Sequence, residues 1–364
     1  MPNLILDSLE IREFRAFKHL EIERLGRVNL IVGKNNVGKS SVLEALRLYA
    51  QRGSLSIIRT ILREREEEQV NLKNTTVIEN IEYLFHGRGE KSTDVPQIEI
   101  KVNDNPDQYL VIKLVGTKQL SFLDTSDLEE DSIYSDGLRT NTDLSVRFGL
   151  DEPIIYPLRE KNAELLARKI VPNLPLFAAM YIPLSGLTRT QAARMWDHVS
   201  LTDDEPMVIS SLQIIAPEVE RLSFLSENPR SRQPIPVVRI SNSSSRVPLG
   251  SLGEGMNRMF GIALALVNAR DGILLVDEIE SGLHYSVQVD MWRLVFETAR
   301  RLNIQMFATT HSWDCIQGFQ QAAQEDEQSA GFLVRLGRKQ GNIVATVYNE
   351  EELAIVTREQ IEVR

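Results

Sequence analysis

GKNNVGKS, residues 33–40, is the stretch that decides the fold of this chain. It follows the apolar run Val28–Val32, which predicts a buried strand. After it, apolar residues recur at helical spacing, at Val42, Ala45, Leu46 and Tyr49. The order strand, loop and helix, with the pattern Gly-x-x-x-x-Gly-Lys-Ser, is that of a phosphate-binding loop.

The residue types in this loop suit a nucleoside triphosphate. Glycines allow main-chain N–H groups to approach phosphate oxygens, and the start of a helix adds partial positive charge. Lys39 is expected to reach the β- and γ-phosphates, and the Ser40 hydroxyl to bind Mg²⁺. We predict that the nucleotide is held by Gly33, Lys34, Asn35, Asn36, Val37, Gly38, Lys39, Ser40 and Ser41.

A second apolar run, ILLVDE at residues 273–278, ends in two acidic residues. In a phosphate-loop fold, the first acid after such a strand belongs to the Mg²⁺ shell, and the second polarises the attacking water. We therefore assign Asp277, with Ser40, to the metal and Glu278 to general-base catalysis.

A third apolar run, residues 304–310, ends at His311. A histidine there can hydrogen-bond to a γ-phosphate or to its attacking water. Because parallel strands place their carboxyl ends at one edge of a sheet, Asp277 and His311 are expected at the same edge. His311 is therefore a second predicted catalytic residue.

The segment PLGSLGEGM, residues 248–256, is small and rich in glycine. It opens a helix whose apolar face comprises Met256, Met259, Phe260, Ala263, Leu264 and Val267. Two interpretations stay open. The loop N–H groups and Ser251 can hold an anion at the helix start, or Ser251 is an ordinary N-terminal cap.

Composition limits the class of protein. A length of 364 residues indicates one large domain with lobes, or two domains. The single cysteine, Cys315, excludes an internal disulfide and fits a reducing, cytoplasmic compartment. The chain lacks an 18-residue apolar run and a secretory signal, so no membrane span is expected. A net charge of −10 argues against nucleic acid over the whole surface but leaves room for a local basic patch.

Together these stretches resemble the ATP-binding-cassette (ABC) ATPases of the RecF/SMC/OLD branch. The closest likeness is to the stand-alone "AAA-type, ABC-like" ATPases of bacteria and archaea, many of which are encoded in defence loci. Ser251–Gly255 loosely resembles the signature loop Leu-Ser-Gly-Gly-Gln, and Ser281–His284 resembles the D-loop. Thr310-His311 resembles the switch histidine, and Phe14–Phe17 matches the N-terminal strand motif of this branch.

The resemblance implies an α/β fold, a P-loop NTPase with an ABC-ATPase-like head, in which a mixed or parallel core sheet is joined by a helical lobe. Residues 1–52 and 246–364 are expected to form the nucleotide-binding core lobe. Residues 53–180 are expected to be a helical and then antiparallel-β insertion. The remaining segment, 181–245, is expected to be a helical lobe that leads to the signature loop.

The resemblance also implies a mechanism. Two subunits sandwich two ATP molecules with Mg²⁺, and the signature loop of each subunit, through Ser251, Gly253 and Gly255, faces the ATP of the other. The partner is therefore a second copy of this chain, in an ATP-dependent homodimer. Arg15 is expected beside the nucleotide. Gln191, or a residue near Ser185, is expected to be the glutamine that links the lobes.

The resulting function is a Mg²⁺-dependent ATPase that acts as a switch or scaffold in a DNA-linked or anti-phage defence process. The alternatives are a RecF-like, ATP-gated DNA clamp, a GTPase, and a module that holds ATP without turnover. The sequence lacks the guanine-specific Asn-Lys-x-Asp motif, and Glu278 argues against the last alternative.

Further expectations concern partners. The segment between Lys39 and Asp277 contains no sustained heptads, which argues against a long-armed SMC protein. The residues after His311 are too few for a nuclease domain of about 100 residues. A separately encoded nuclease or effector, and DNA, are therefore further candidate partners.

Overall fold

The computed structural model of the chain describes residues 4–67, 80–89, 97–103, 105, 107–116, 142–158, 175–225, 234–241, 245–326 and 331–359. The chain divides into two compact units. The first unit comprises Met1–Ser8, Ile22–Leu43 and Phe177–Arg364, and the second comprises Leu9–Glu21 and Glu44–Leu176.

The strands of the described residues are β1 (Leu9–Phe14), β2 (Phe17–Ile22), β3 (Val28–Val32), β4 (Gln97–Val102), β5 (Tyr109–Gly116), β6 (Thr142–Phe148), β7 (Ile154–Pro157), β8 (Ala179–Ile182), β9 (Val219–Leu225), β10 (Ile235–Ile240), β11 (Arg246–Pro248), β12 (Ile273–Val276), β13 (Gln305–Thr309), β14 (Gly331–Lys339) and β15 (Asn342–Tyr348). The α-helices are α1 (Lys39–Ala50), α2 (Leu55–Glu64), α3 (Arg189–Asp197), α4 (Glu205–Gln213), α5 (Glu254–Asn268), α6 (Gln288–Arg301), α7 (Trp313–Glu325) and α8 (Glu350–Arg358).

The first unit is built on a mixed sheet with strand order β15-β14-β3-β13-β12-β8. The four pairings from β14 to β8 are parallel, and β15 pairs with β14 in the antiparallel direction. The carboxyl ends of β3, β12 and β13 therefore lie at one edge, where the fold of a parallel sheet places ligands. The predicted α/β class with a mixed core sheet is confirmed.

A buried asparagine, Asn29, fixes the position of β3, the strand that leads into the phosphate loop. All five residues of β3 are buried. The Asn29 amide nitrogen donates to Gly26 O at 2.8 Å and to Met306 O at 3.1 Å, and its oxygen accepts from the Gly26 N–H at 2.8 Å. Because every polar atom of this buried amide is paired, a polar residue is tolerated in the middle of the sheet.

A smaller antiparallel sheet, in the order β11-β10-β9, also belongs to the first unit. Its buried side chains share a core with α3, α4 and α5. The sequence predicts a largely helical stretch from Thr188 to about Leu225, but the last helix ends at Gln213 and β9 follows. Apolar residues spaced by three in β9 fit a helix, whereas its pairing with β10 is a non-local contact that local spacing does not reveal.

The second unit contains a sheet in the order β2-β1-β4-β5-β6-β7. Consecutive strands from β4 to β7 are antiparallel. α2 buries Leu55, Ile57, Ile58, Ile61 and Leu62 on its apolar face. The lobe boundaries expected from the sequence, 1–52 with 246–364, 53–180 and 181–245, stay a prediction.

α5 lies in the core of the first unit. The predicted apolar face is buried, and so are Ile262, Ala265 and Leu266 on the other side of the helix. A helix that is apolar around most of its surface belongs between two layers rather than at the surface. Among the helices of the described residues, none combines the length and the apolar character needed to cross a membrane.

Candidate functional site

The loop between β3 and α1 has a shape that requires glycine at its two ends. Gly33 has φ +147°, and a Cβ there would lie 2.5 Å from the Leu336 carbonyl oxygen. Gly38 has φ +89°, in the region that side chains disfavour. The loop therefore makes a tight turn directly before α1, which begins at Lys39.

The Lys39 side chain folds back over this loop. Its Nζ donates to Gly33 O at 2.8 Å and to Lys34 O at 3.2 Å, and the residue is 9% exposed. Burial lowers the Lys39 pKa, while the charges of Glu278, Asp277 and Glu280 act in the opposite direction. The Lys39 ammonium group thus lies inside the loop, where three nearby carboxylates favour its charged form.

Ser40 and Asp277 meet at the carboxyl edge of the sheet. The Ser40 hydroxyl donates to Asp277 Oδ2 at 2.9 Å and is 3.1 Å from Oδ1, while the Thr309 hydroxyl donates to Asp277 Oδ1 at 2.6 Å. The predicted metal residues are therefore neighbours, although they are far apart in sequence.

This donor set fits Mg²⁺. A hydroxyl and a carboxylate are the hard oxygen ligands that Mg²⁺ takes, and the ion often keeps few protein ligands alongside phosphate oxygens. Within the part of the chain that the structure describes, no group of three or more His, Cys, Asp or Glu side chains is placed to form an all-protein cage. The site therefore matches a metal that is shared with a bound nucleotide.

Glu278 and His311 are also adjacent. His311 Nδ1 lies 3.3 Å from Glu278 Oε1 and 3.7 Å from Glu280 Oε1. The Glu278 main chain has φ +47°, and its N–H donates to the Thr309 hydroxyl at 2.8 Å. The two predicted catalytic residues thus meet across β12 and β13.

Glu280 is a residue of this site that the sequence analysis missed. It is buried, and its Oε1 accepts from the Thr310 hydroxyl at 2.6 Å and from the His311 N–H at 3.3 Å. Its position, two residues after Glu278, is a third acid following the apolar strand. Glu280 is therefore visible in the sequence as an acidic residue close to the end of the strand. An acidic residue at such a position is usually part of a solvent-exposed loop, so the sequence alone does not assign it to the site.

Arg258 is the second missed residue. It lies on α5, is buried, and donates to the carbonyls of Pro183 (3.0 Å), Asp277 (2.5 Å) and Glu278 (2.7 Å). Burial lowers its pKa. The signal for it is an arginine that interrupts an otherwise apolar helix, although no local pattern shows what such an arginine contacts.

The segment resembling a signature loop precedes α5. Residues Leu249–Leu252 form a short 3₁₀ turn, and the N-cap of α5 is Gly253, with φ +106°. The interpretation of Ser251 as an ordinary helix cap is therefore wrong. A Cβ on Gly255 would lie 2.7 Å from Gly282 O, so this helix start lies directly on the D-loop-like segment. Ser251 is exposed and lines a cleft of about 560 Å³.

Arg15 and Gln191 have structural contacts of their own. Arg15 forms ion pairs with Glu44 at 2.9 Å and with Glu67 at 2.7 Å. The Gln191 side chain accepts from the Thr188 N–H at 3.0 Å and completes a capping box at the start of α3. Ser185, the neighbouring alternative for the lobe-linking position, lines the same cleft as Ser251. The nucleotide roles of Arg15 and Gln191 stay predictions.

Comparison with known proteins gives related sequences over most of the chain. Residues 5–156 and 199–316 match the family described as "AAA ATPase domain". The chain is 23% identical to the "ATP/GTP phosphatase" of Helicobacter pylori (strain ATCC 700392 / 26695), over 89% of this chain and 90% of that protein. It is 26% identical to the "DNA replication and repair protein RecF" of Rickettsia bellii (strain RML369-C), over 62% of this chain and 57% of that RecF.

Solved structures share the fold. One is the SMC head bound to the "C-winged helix domain" of ScpA, with a TM-score of 0.53, 12% identity, and coverage of 96% of this chain and 99% of that chain. Another is the Smc head domain with an extended coiled coil, bound to the C-terminal domain of ScpA derived from Pyrococcus furiosus. It has a TM-score of 0.52, 11% identity and full coverage of both chains. At these identities the likeness concerns the fold.

Proposed function

The chain belongs to the AAA ATPase domain family, in the ABC-type branch that includes RecF and SMC ATPases, and we propose that it hydrolyses ATP with Mg²⁺ between two copies of itself. The observation that carries the proposal is the convergence of Lys39, Ser40, Asp277, Glu278 and His311 at one edge of the parallel sheet. Phosphate binding, metal binding and water activation need these residue types within reach of one another.

The phosphate loop and Lys39 bind the nucleotide. The Lys39 Nζ donates to two loop carbonyls in this structure. When the nucleotide binds, Nζ donates to phosphate oxygens in place of these carbonyls. Ser40 and Asp277 would hold Mg²⁺, which would supply positive charge to the phosphates of the nucleotide. Thr309 fixes the Asp277 carboxylate through a 2.6 Å hydrogen bond, so that its orientation is set before the ion arrives.

Glu278 and His311 act on the attacking water. The Glu278 carboxylate accepts a proton from the water as its oxygen attacks the γ-phosphorus, and ADP leaves with the electrons of the broken P–O bond. The His311 ring, 3.3 Å from Glu278 Oε1, orients that carboxylate and offers a hydrogen bond to the γ-phosphate. Both roles follow from positions at the ends of neighbouring strands.

A second copy of the chain completes each site in this proposal. The segment Ser251–Gly255 presents exposed Ser251, Gly253 and Glu254 at the start of α5. Main-chain N–H groups at a helix N-terminus favour an anion, and the exposed loop is free to face the nucleotide of a partner. The family resemblance supplies the two-subunit arrangement, with ATP as the group that joins the subunits.

We propose that this ATPase works in the cytoplasm as a switch or scaffold in a DNA-linked or anti-phage defence process, with a separately encoded nuclease or effector as a further partner. The similarity to RecF favours one alternative, an ATP-gated clamp on DNA. A clamp that grips the DNA backbone loses affinity steeply with salt, which separates the two candidates. The net charge of −10 favours the first.

A mixing experiment tests hydrolysis and the shared site together. Lys39→Ala lacks a working phosphate loop, and Ser251→Arg blocks the signature-like loop, so each variant alone is expected to be inactive. In a heterodimer, the phosphate loop of the Ser251→Arg subunit faces the intact loop of the Lys39→Ala subunit. We therefore expect phosphate release from Mg-ATP to reappear on mixing, and to vanish with EDTA.

The wild type provides the reference in the same assay, and GTP in place of ATP tests nucleotide preference. A mixture as inactive as its components would contradict the shared site if the wild type is active. Absence of hydrolysis by the wild type would contradict the proposed function itself.

A further inference from the structure

The main chain that carries Glu278 is held in an unfavourable conformation. Its φ of +47° lies in the left-handed region, which is uncommon for a residue with a Cβ. Such a conformation persists only where surrounding contacts impose it, and it is frequent at functional sites. The contacts that hold Glu278 therefore determine where its carboxylate lies.

Arg258 supplies three of those contacts, and Thr309, Ile182 and Ser281 supply others. Besides Asp277 O and Glu278 O, its guanidinium donates to Pro183 O at 3.0 Å and is 3.4 Å from Ile279 O. The Arg258 guanidinium thus contacts three consecutive residues centred on the proposed base, Glu278. It also contacts Pro183, the residue that follows β8. The five donors of an arginine in a fixed plane suit this task, whereas a lysine would reach fewer of the carbonyls.

Arg258 also connects this segment to the loop before α5. It lies one helical turn after Glu254, and within the turn between them Gly255 approaches Gly282 O so closely that a Cβ would be 2.7 Å away. The first two turns of α5 therefore contact the chain on both sides of Glu280. Because close-packed interiors transmit strain, we expect a shift of this part of α5 to displace the Glu278 main chain.

We propose that Arg258 is a positioning residue for Glu278, which fixes the Asp277–Ile279 main chain and ties it to the loop 251–255 at the start of α5. The inference rests on the proposed ATP hydrolysis and adds to it a route within one subunit. Engagement of the signature-like loop is transmitted through the first turn of α5 to the general base.

The chain offers a matched control in Arg27. This arginine is also buried, and it donates to the carbonyls of Ile304 and Ala299 and to the Asn303 side chain. Its pKa, like that of Arg258, is lowered by burial. It precedes β3 and so lies at the opposite end of the parallel strands from the phosphate loop. Arg27→Lys removes similar contacts and leaves the residues of the site unchanged.

The experiment compares the full-length variants Arg258→Lys, Arg258→Ala and Arg27→Lys. For each, the single-turnover rate at saturating Mg-ATP, the Kd for a non-hydrolysable ATP analogue and the Tm are measured. We expect both Arg258 variants to lose about 100-fold in rate with an unchanged Kd, since a displacement of about 1 Å costs this much. Arg27→Lys is expected to lower the Tm and to keep the rate.

A second readout is rescue by guanidinium ion. Arg258 lines the cleft of about 560 Å³ beside Ser251, so the space left by Arg258→Ala is reachable from solvent. Millimolar guanidinium is expected to restore part of the rate of this variant and to leave Arg258→Lys unchanged.

Three results would overturn the inference. They are a rate in Arg258→Lys equal to that of Arg27→Lys, a loss of rate matched by the loss of ATP affinity, and failure of both Arg258 variants to fold. An inactive wild type, measured in parallel, would instead overturn the proposed function on which the inference rests.

Discussion

Glu278→Gln is expected to bind Mg-ATP like the wild type and to hydrolyse it about 100- to 10 000-fold more slowly, the usual contribution of a general base. Glutamine has nearly the same shape, so the contact with His311 at 3.3 Å and the main-chain bonds to Thr309 and Arg258 can persist. What is lost is the ability to accept the proton of water. Nucleotide affinity by calorimetry and phosphate release in single-turnover reactions measure the two properties separately.

Glu297→Gln is the control for this change, because Glu297 is an exposed residue of α6 and the substitution removes the same charge. Its rate should match that of the wild type. Normal turnover by Glu278→Gln would remove Glu278 from the role of base and leave the water to another group, with Glu280 the nearest buried carboxylate described.

Lys39→Ala is expected to weaken ATP binding by about 100-fold and to abolish turnover. A charge-assisted hydrogen bond contributes about 1.5–3 kcal/mol, and Lys39 is the cation that the loop itself encloses. Alanine also leaves the carbonyls of Gly33 and Lys34 without this donor, so the loop loses part of its shape. Calorimetric titration with ATP and Mg²⁺ measures the loss of affinity.

Lys18→Ala serves as the control, since Lys18 is an exposed residue of β2 and its removal changes the net charge equally. Affinity in this variant should be unchanged. If Lys39→Ala kept wild-type affinity, the loop 33–41 would not be the phosphate site, whatever its sequence pattern.

The parts of the site that local pattern encodes could be predicted. The phosphate loop can be recognised from its local sequence because Gly33 and Gly38 have φ values of +147° and +89°, which favour glycine. Apolar runs ending in Asp277-Glu278 and in His311 identified two parallel strands, and the rule that such strands share an edge brought these residues together.

The parts set by distant contacts could not be predicted. Arg258 contacts Pro183, a residue far from it in sequence, and an arginine within an apolar helix gives no sign of its target. The stretch from Thr188 to about Leu225 was expected to be largely helical, but its last residues form β9, whose conformation is decided by pairing with β10. The side chains of Arg15 and Gln191 likewise meet partners that only the folded chain shows, in Glu44 and in the cap formed with Thr188.

The central claim is that ATP joins two copies of this chain. It is tested most directly by the solution mass of Glu278→Gln, measured by light scattering with and without Mg-ATP, because this variant is expected to hold the nucleotide without consuming it. The expected result is a monomer of 41.3 kDa without nucleotide and a dimer with Mg-ATP, while Lys39→Ala stays monomeric in both. A Glu278→Gln protein that binds Mg-ATP and keeps the monomer mass would contradict the claim.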